Sequence, residues 1–541
     1  MFKEIELKNV RIFGDDVYKF PIPKLTVFCG TNSSGKSTIL KTFLLLRQSQ
    51  AIRDGIGNSN GELRFRGPQV DLGNYSSFVH QKDIKKDISI AITIEGYMPA
   101  NMASFLRRSR LEDIKEQEEK DANSDESTSY ESYSLKTSFT FTACLNNPTN
   151  KNRKNQAKEV IGSQGSDHLF RLGILKSAKY EMTLDDGYLL LWEVRIAKGA
   201  SNDQVKYEML IPKNYFEKVC HSDELFLDPS EHNDFLVGET KLRGILPFQL
   251  IVKTKPNQID EDDPEGKSVL SLPPHIENAI QNLQWTLNDI HYLGPLRTHP
   301  KRYYVRDVDV NPSFDSTGEF LAHILQRQHR VYNVKPERTE TTKESLSDAL
   351  GEWLYYLRTG KKLDGEVRNE FEVFSHKGVL VELELKSALG DEAYALADSG
   401  FGYSQVLPIL VQGLLMDPGD SLFIEQPGLH LNPSLQVRLS QFFVAMSCAD
   451  KQIIIETHSE HIVNAIRVIA AEDESGVISS NCGIVFIDIK DKKLQMYELS
   501  IKVDGTVSDW PYNFFGEATT LTGRLLRAQK RFRKQLHKKE E

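Results

Sequence analysis

The sequence predicts an α/β fold with two lobes around a β-rich insert. Strand-like and helix-like stretches mix near both ends of the chain, the pattern of an α/β core. Between about Met98 and Gln284 that pattern weakens into β-like runs and polar loops. At 541 residues the chain is also too long for one simple core.

Composition narrows the class. The chain is 39% hydrophobic and 26% charged, as in ordinary globular proteins. No apolar run reaches the roughly 18 residues that a membrane span needs. The opening "MFKEIELKNV" lacks a signal-peptide core, so a cytoplasmic protein without membrane contact is expected. Five cysteines, Cys29, Cys144, Cys220, Cys448 and Cys482, are scattered without a C-x-x-C pair. That argues against a zinc site or a disulfide framework and for buried free thiols. The net charge of -9 is unevenly spread. Acids dominate from Leu111 to Tyr133, whereas the end carries Arg524, Arg527, Lys530, Arg531, Arg533, Lys534, Lys538 and Lys539. Such a basic tail could contact phosphates or an acidic partner, or form a solvated helix.

Taken in order, "IELKNVRIF" alternates like a strand, and "KLTVFCG" reads as a short buried strand ending at Gly30. "GKSTILKTFLLLRQSQAI" spaces Leu40, Phe43, Leu44 and Arg47 as a helix does, and "DISIAITIEG" is another strand. These make a first lobe, 1–98. In the insert, 99–289, "EQEEKDANSDESTSYESYS" is poor in apolar residues and expected to be mobile. "SFTFTACL", "YLLLWEVRIA" and "PFQLIVK" are its β-like runs. Heptads are not sustained, so no long coiled coil is expected. In the second lobe, 290–515, "KESLSDALGEWLYYLRTG" is helical and "GVLVELEL" alternates as a strand. "ALADSGFGYSQVLPILVQGLLM" is a glycine-rich loop opening an apolar helix, and "SLFIE" and "KQIIIE" are buried strands. "PSLQVRLSQFFVAM" is a helix with Pro433 near its first turn. Residues 516–541 form the tail.

Four segments carry chemistry. Gly30 to Thr38, "GTNSSGKST", matches G-x-x-x-x-G-K-[ST] between an apolar strand and a helix. Backbone N–H groups of Asn32, Ser33, Ser34, Gly35 and Thr38 and the helix start would cradle phosphates. Lys36 would reach the β- and γ-phosphates of ATP, and Ser37 would ligate Mg²⁺. The strand "SLFIE" ends at Glu425, a carboxylate placed to hold that Mg²⁺ directly or through water. "IIIETHSEH" supplies Glu456, at nearly the same depth, and His458, a candidate γ-phosphate contact. In "DSGFGYSQ", Ser399, Gly400, Gly402 and Ser404 precede a helix and suggest a second anion site. A second phosphate site in one chain suggests that it serves another copy.

In this order the segments resemble the ABC-type ATPases of the SMC, Rad50, RecF and OLD group. "GTNSSGKST" resembles their Walker A, "DSGFGYSQ" the signature loop, "FIEQP" the Walker B, "LHLN" the D-loop and "ETHS" the switch-histidine segment. "IHYLGPLRTHPKRYY" and "VDGTVSDWPYNFF" are further similar to stand-alone bacterial ATPases of the DUF3696 type. The ATPase subunit of Septu-type anti-phage systems, also found with retrons, is such a protein. The resemblance implies an ABC/Rad50-like head and a head-to-head homodimer or higher oligomer. ATP would lie between Lys36 and Ser37 of one copy and Ser399, Gly400 and Ser404 of the other. It implies an HNH nuclease partner, with reverse transcriptase and nucleic acid as further candidates. His80 and Gln81 fall where a Q-loop could lie, and Arg297 of "GPLR" is a further candidate contact.

The chain departs from the pattern. Gln426 occupies the usual catalytic-glutamate position, and Gly428 and Asn432 replace a common Glu and His. An amide can orient water but cannot accept its proton. Glu456 could supply that base. Slow turnover is therefore expected, with ATP mainly controlling dimer closure. Two competing readings are a RecF- or Rad50-like DNA-repair ATPase and an OLD-like nuclease. "FIDIKDKK" is a thin carboxylate cluster for the latter.

Overall fold

The structure is a computed structural model. It describes residues 1–50, 61–110, 129–144, 172–187, 189–197, 205–213, 215–216, 225–226, 228–229, 234–254, 267–298, 301–305, 317, 324–325, 329–337, 340–362, 371–376, 380–386, 392–398, 401–491, 493–507, 524–527 and 529. The acidic stretch at 111–128 and most of the basic tail lie outside the described residues. The chain divides into two compact units, 1–23 with 37–292 and 419–423, and 24–36 with 293–418 and 424–541.

The first unit is built on a 13-stranded sheet. Its path runs from Leu225–Phe226 through the strands of 130–254 to Ile88–Pro99, Phe2–Lys8 and Tyr18–Pro21. Phe2–Lys8 pairs antiparallel with both Tyr18–Pro21 and Ile88–Pro99, and Ile88–Pro99 pairs with Tyr130–Cys144. The stretch expected as an insert therefore extends the sheet begun at residue 2. Alternation explains the burial: Phe2, Ile5 and Leu7 are inside, as are Ile88, Ile90, Ile92 and Ile94. The helix Lys36–Gln50 presents Ile39, Leu40, Phe43 and Leu44 to the core. Phe43 packs edge-on against Phe2 at 4.7 Å and Phe423 at 5.1 Å.

In the second unit we label strands β1 (Leu25–Gly30), β2 (Ser421–Glu425), β3 (Gln452–Glu456), β4 (Cys482–Lys490) and β5 (Lys493–Ser500). Its helices are α1 (Leu346–Thr359), α2 (Phe401–Leu415), α3 (Pro433–Cys448) and α4 (Glu460–Glu472). β1 is the centre, parallel to β3 on one side and β4 on the other, with β5 antiparallel beyond β4. Only Ile424 and Glu425 of β2 belong to this unit. All residues of β3 and the first five of β1 are buried, as in a sheet covered on both faces. Capping residues set the helix starts: Ser345, Asn432 and Ser459 accept from Asp348, Leu435 and Ile462 N–H groups. The longest helix among the described residues, α3, has 16 residues, so they contain no long coiled coil. None of their helices is long and apolar enough to cross a membrane.

A buried lysine closes α2. Lys451 donates to the carbonyls of Gly413, Leu414 and Tyr332 at 2.9, 3.0 and 2.8 Å. The first two end the helix, where its dipole is negative and a cation is favoured. Lys451→Met leaves those buried carbonyls without their donor and is expected to cost about 3 kcal/mol. Urea unfolding measures it, and an unchanged midpoint refutes the assignment.

Candidate nucleotide-binding site

The phosphate loop starts from a steric constraint. Gly30 ends β1 with φ 135°, and an added Cβ would lie 1.9 Å from the Ile487 carbonyl oxygen on β4. Only glycine fits there. The next N–H, of Thr31, donates to that same oxygen at 3.2 Å, and Thr31 Oγ1 donates to Asp488 at 3.0 Å. Ser33 and Gly35 follow at φ 61° and 99°. Left-handed positions of this kind turn successive N–H groups toward one side, forming an anion nest. Thr31, Asn32 and Ser33 are exposed, while Ser34 is buried. Ser37 is half-buried and Thr38 buried in the first turn of the Lys36–Gln50 helix.

Lys36 is 3% exposed. Its ammonium donates to the Thr31 carbonyl at 2.6 Å and, more weakly, to Gly30 and Ser34 at 3.3 and 3.4 Å. Burial lowers its pKa, and the Glu456 carboxylate works in the opposite direction. The loop therefore holds a buried cation on backbone carbonyls, close to one carboxylate. A phosphate oxygen is a better partner for an ammonium than a carbonyl, so these residues fit a nucleotide's phosphates.

The carboxylates arrive on neighbouring strand ends. Glu425 and Glu456 are 4% and 5% exposed. Gln426 N–H donates to the Glu456 carbonyl at 2.7 Å, and Thr457 N–H to the Phe28 carbonyl at 3.0 Å. These bonds bring Glu425, Gln426, Glu456 and His458 to the end of the sheet from which the loop springs. Gln426 has φ 49°, a left-handed conformation that costs a non-glycine residue about 1 kcal/mol. No cluster of three or more His, Cys, Asp or Glu able to hold a metal exists among the described residues. A Mg²⁺ at Glu425 would draw its other ligands from hydroxyl, water and phosphate oxygens, as this ion usually does.

Arg297, a candidate contact from the sequence, is 5% exposed and donates from Nη2 to the Glu425 carbonyl at 3.2 Å. One further element passes unseen in the sequence. Gln436 on α3 accepts from Ser459 Oγ at 2.5 Å and donates to the Leu431 carbonyl at 2.7 Å. It thereby ties the D-loop-like turn to the cap of α4. No local pattern marks Gln436, because its partner lies 23 residues away. Asn432 serves as the α3 cap.

The remaining candidates are placed as follows. Ser399 and Gly400 lie outside the described residues; Gly402 and Ser404 sit in the first turn of α2. Asp398, just before, pairs with Arg302 at 2.8 Å. His80 and Gln81 occupy a 3₁₀ turn of the first unit. There the His80 ring nitrogen Nδ1 meets the Arg11 carbonyl at 2.6 Å, and Gln81 has φ 54°.

Two family descriptions match the chain. Residues 309–463 match "AAA ATPase domain", and residues 25–153 match "AAA domain, putative AbiEii toxin, Type IV TA system". The first span holds the Glu425 and Glu456 strands and the second holds the phosphate loop. Both matched spans are similar to AAA-type ATPase domains, which supports an ATPase of that type. No curated protein matches the chain. Among solved structures, an Smc head bound to the C-terminal winged-helix domain of ScpA is 11% identical, with a TM-score of 0.36, over 92% of this chain and 98% of that one. The Smc head domain with an extended coiled coil bound to the C-terminal domain of ScpA, derived from Pyrococcus furiosus, is 11% identical (TM-score 0.32), over 92% and 96%. The SMC head domain from Thermotoga maritima is 8% identical (TM-score 0.32), over 92% and 98%.

His458 gives the site a pH signature. The residue is exposed at the surface, but partial desolvation and the Lys36 ammonium push its pKa below the ordinary imidazole value, against a hydrogen bond with the Gly30 backbone. The folded state thus favours the neutral ring. Its contribution to stability is full above the unfolded pKa of about 6.5 and is lost as pH falls through the lowered folded value. His458→Asn is expected to flatten the acid limb of a stability-versus-pH curve, read by denaturant titration. An unchanged limb shows that His458 does not titrate this way.

Proposed function

We propose that the chain is an ATP-gated clamp that turns ATP over slowly. Two copies close on shared nucleotide and control an HNH-type nuclease in a bacterial anti-phage complex. The observation that carries the slow turnover is Gln426, an amide fixed in a strained turn directly after the buried Glu425. In this reading Lys36 exchanges its bonds to Thr31 and Gly30 for phosphate oxygens. Ser37 and Glu425 hold Mg²⁺, which would neutralise phosphate charge when bound. Gln426 orients the water without taking its proton, and His458 faces the γ-phosphate. Glu456 balances Lys36 and is the carboxylate available as a base.

Support for the setting comes from the matched description of a type IV toxin–antitoxin protein and from the sequence resemblance to Septu-type ATPases. Closure of two copies is supported by the glycine-rich start of α2, which offers helix N–H groups to a second nucleotide.

The test is turnover of the purified full-length chain beside Gln426→Glu. A positioned base contributes on the order of a hundredfold or more, so the substitution is expected to raise the rate by about that factor. Rapid hydrolysis by the unmodified chain, unaltered by Gln426→Glu, would show that another group, Glu456 first, already acts as base.

A further inference from the structure

One peptide unit at the end of β2 is held from both sides. Its carbonyl, of Glu425, accepts from Arg297 Nη2 at 3.2 Å. Its N–H, of Gln426, donates to the Glu456 carbonyl at 2.7 Å. Both gripping groups are buried. The peptide is planar, so a partner on its oxygen and one on its hydrogen together fix its plane. That plane sets the direction in which the Glu425 side chain leaves the strand, and it sets the left-handed φ of 49° at Gln426. A left-handed glutamine persists only where the surroundings over-determine it. Arg297 is suited to this task, because a guanidinium stays charged and donates along fixed directions even when buried. It reaches the peptide from a segment 128 residues earlier in the chain.

We propose that Arg297 is a positioning residue for hydrolysis. It locks the Glu425–Gln426 peptide, and so aims the carboxylate toward the metal and the amide toward the attacking water. The proposal rests on the reading of Gln426 as the water-side residue.

The experiment is a double-mutant cycle in the full-length chain with Arg297→Lys, Gln426→Ala and their combination. Single-turnover hydrolysis of radiolabelled ATP gives the rate, titration gives KM, and thermal melting reports the fold. A displacement of about an ångström costs roughly a hundredfold in rate. Arg297→Lys is therefore expected to slow hydrolysis by about that factor while KM changes less than about threefold. In the Gln426→Ala background the Arg297 effect is expected to shrink to the part that acts through Glu425, because the part that acts through the amide is gone. Millimolar guanidinium is expected to restore part of the rate to Arg297→Ala, and less to Arg297→Ala with Gln426→Ala.

Additive losses, an unslowed Arg297→Lys, or a KM and melting temperature that move in step with the rate overturn the proposal. So does failure of both Arg297 variants to fold, which would make the residue structural. The parent reading fails separately: a silent Gln426→Ala removes the amide from the water site, whatever Arg297 does.

Discussion

The nucleotide site depends on the contact between Gly30 and the Ile487 carbonyl. β1 and β4 run so close at this point that even a methyl group would overlap the neighbouring oxygen. Because the chain cannot continue as a strand with a side chain there, it leaves the sheet at Gly30. The Thr31 N–H then takes the same carbonyl, which fixes where the loop begins. Left-handed Ser33 and Gly35 turn it over, and Lys36 is left pointing back into its own loop. Each step is forced by the one before. A buried parallel sheet thus becomes a cradle for negative charge without any special side chain except the lysine.

Electrostatics completes what sterics begins. A buried ammonium is costly unless it is paired and hydrogen-bonded. Lys36 meets both conditions, through the Thr31 carbonyl and the attraction of Glu456. The carboxylate lies at the end of β3, whose register against β1 places Glu456 opposite Phe28. Sheet register and charge balance are therefore one constraint, because a one-residue slip would turn the acid away from the lysine. His458, two residues on, experiences the same cation and is driven toward its neutral form. The Arg297 guanidinium brings a second buried cation to the end of β2.

Much of this was legible in the sequence because it is local. The loop motif, the apolar strands ending in Glu425 and Glu456, and the proline-started α3 each occupy a short window with its own periodicity. What the sequence hid is long-range. Arg297 and Glu425 meet across 128 residues, and Lys451 finds α2 and Tyr332 across 37 to 119. Backbone carbonyls accept these bonds, and a carbonyl leaves no trace in residue identity. The sheet of the first unit shows the same limit. "SFTFTACL" and "YLLLWEVRIA" announce strands, but nothing in them says that they extend a sheet begun at Phe2. The long polar interruptions between them read only as an insert.

The amide at Gln426 makes sense against this background. A carboxylate there would place a third acid beside Glu425 and Glu456, at an end of the sheet where two are already buried. Like charges in so dry a place repel one another and raise one another's pKa, which costs stability even where it makes the added acid a better base. An amide avoids that repulsion and still donates and accepts hydrogen bonds. In the proposed reading it keeps the water oriented and gives up the proton transfer. That reading trades speed for geometry, a combination suited to a protein whose bound nucleotide matters more than its spent one. The buried guanidinium behind the peptide is then economical as well. A residue that works by direction alone, without taking a proton, needs its backbone held more firmly than one that works by basicity.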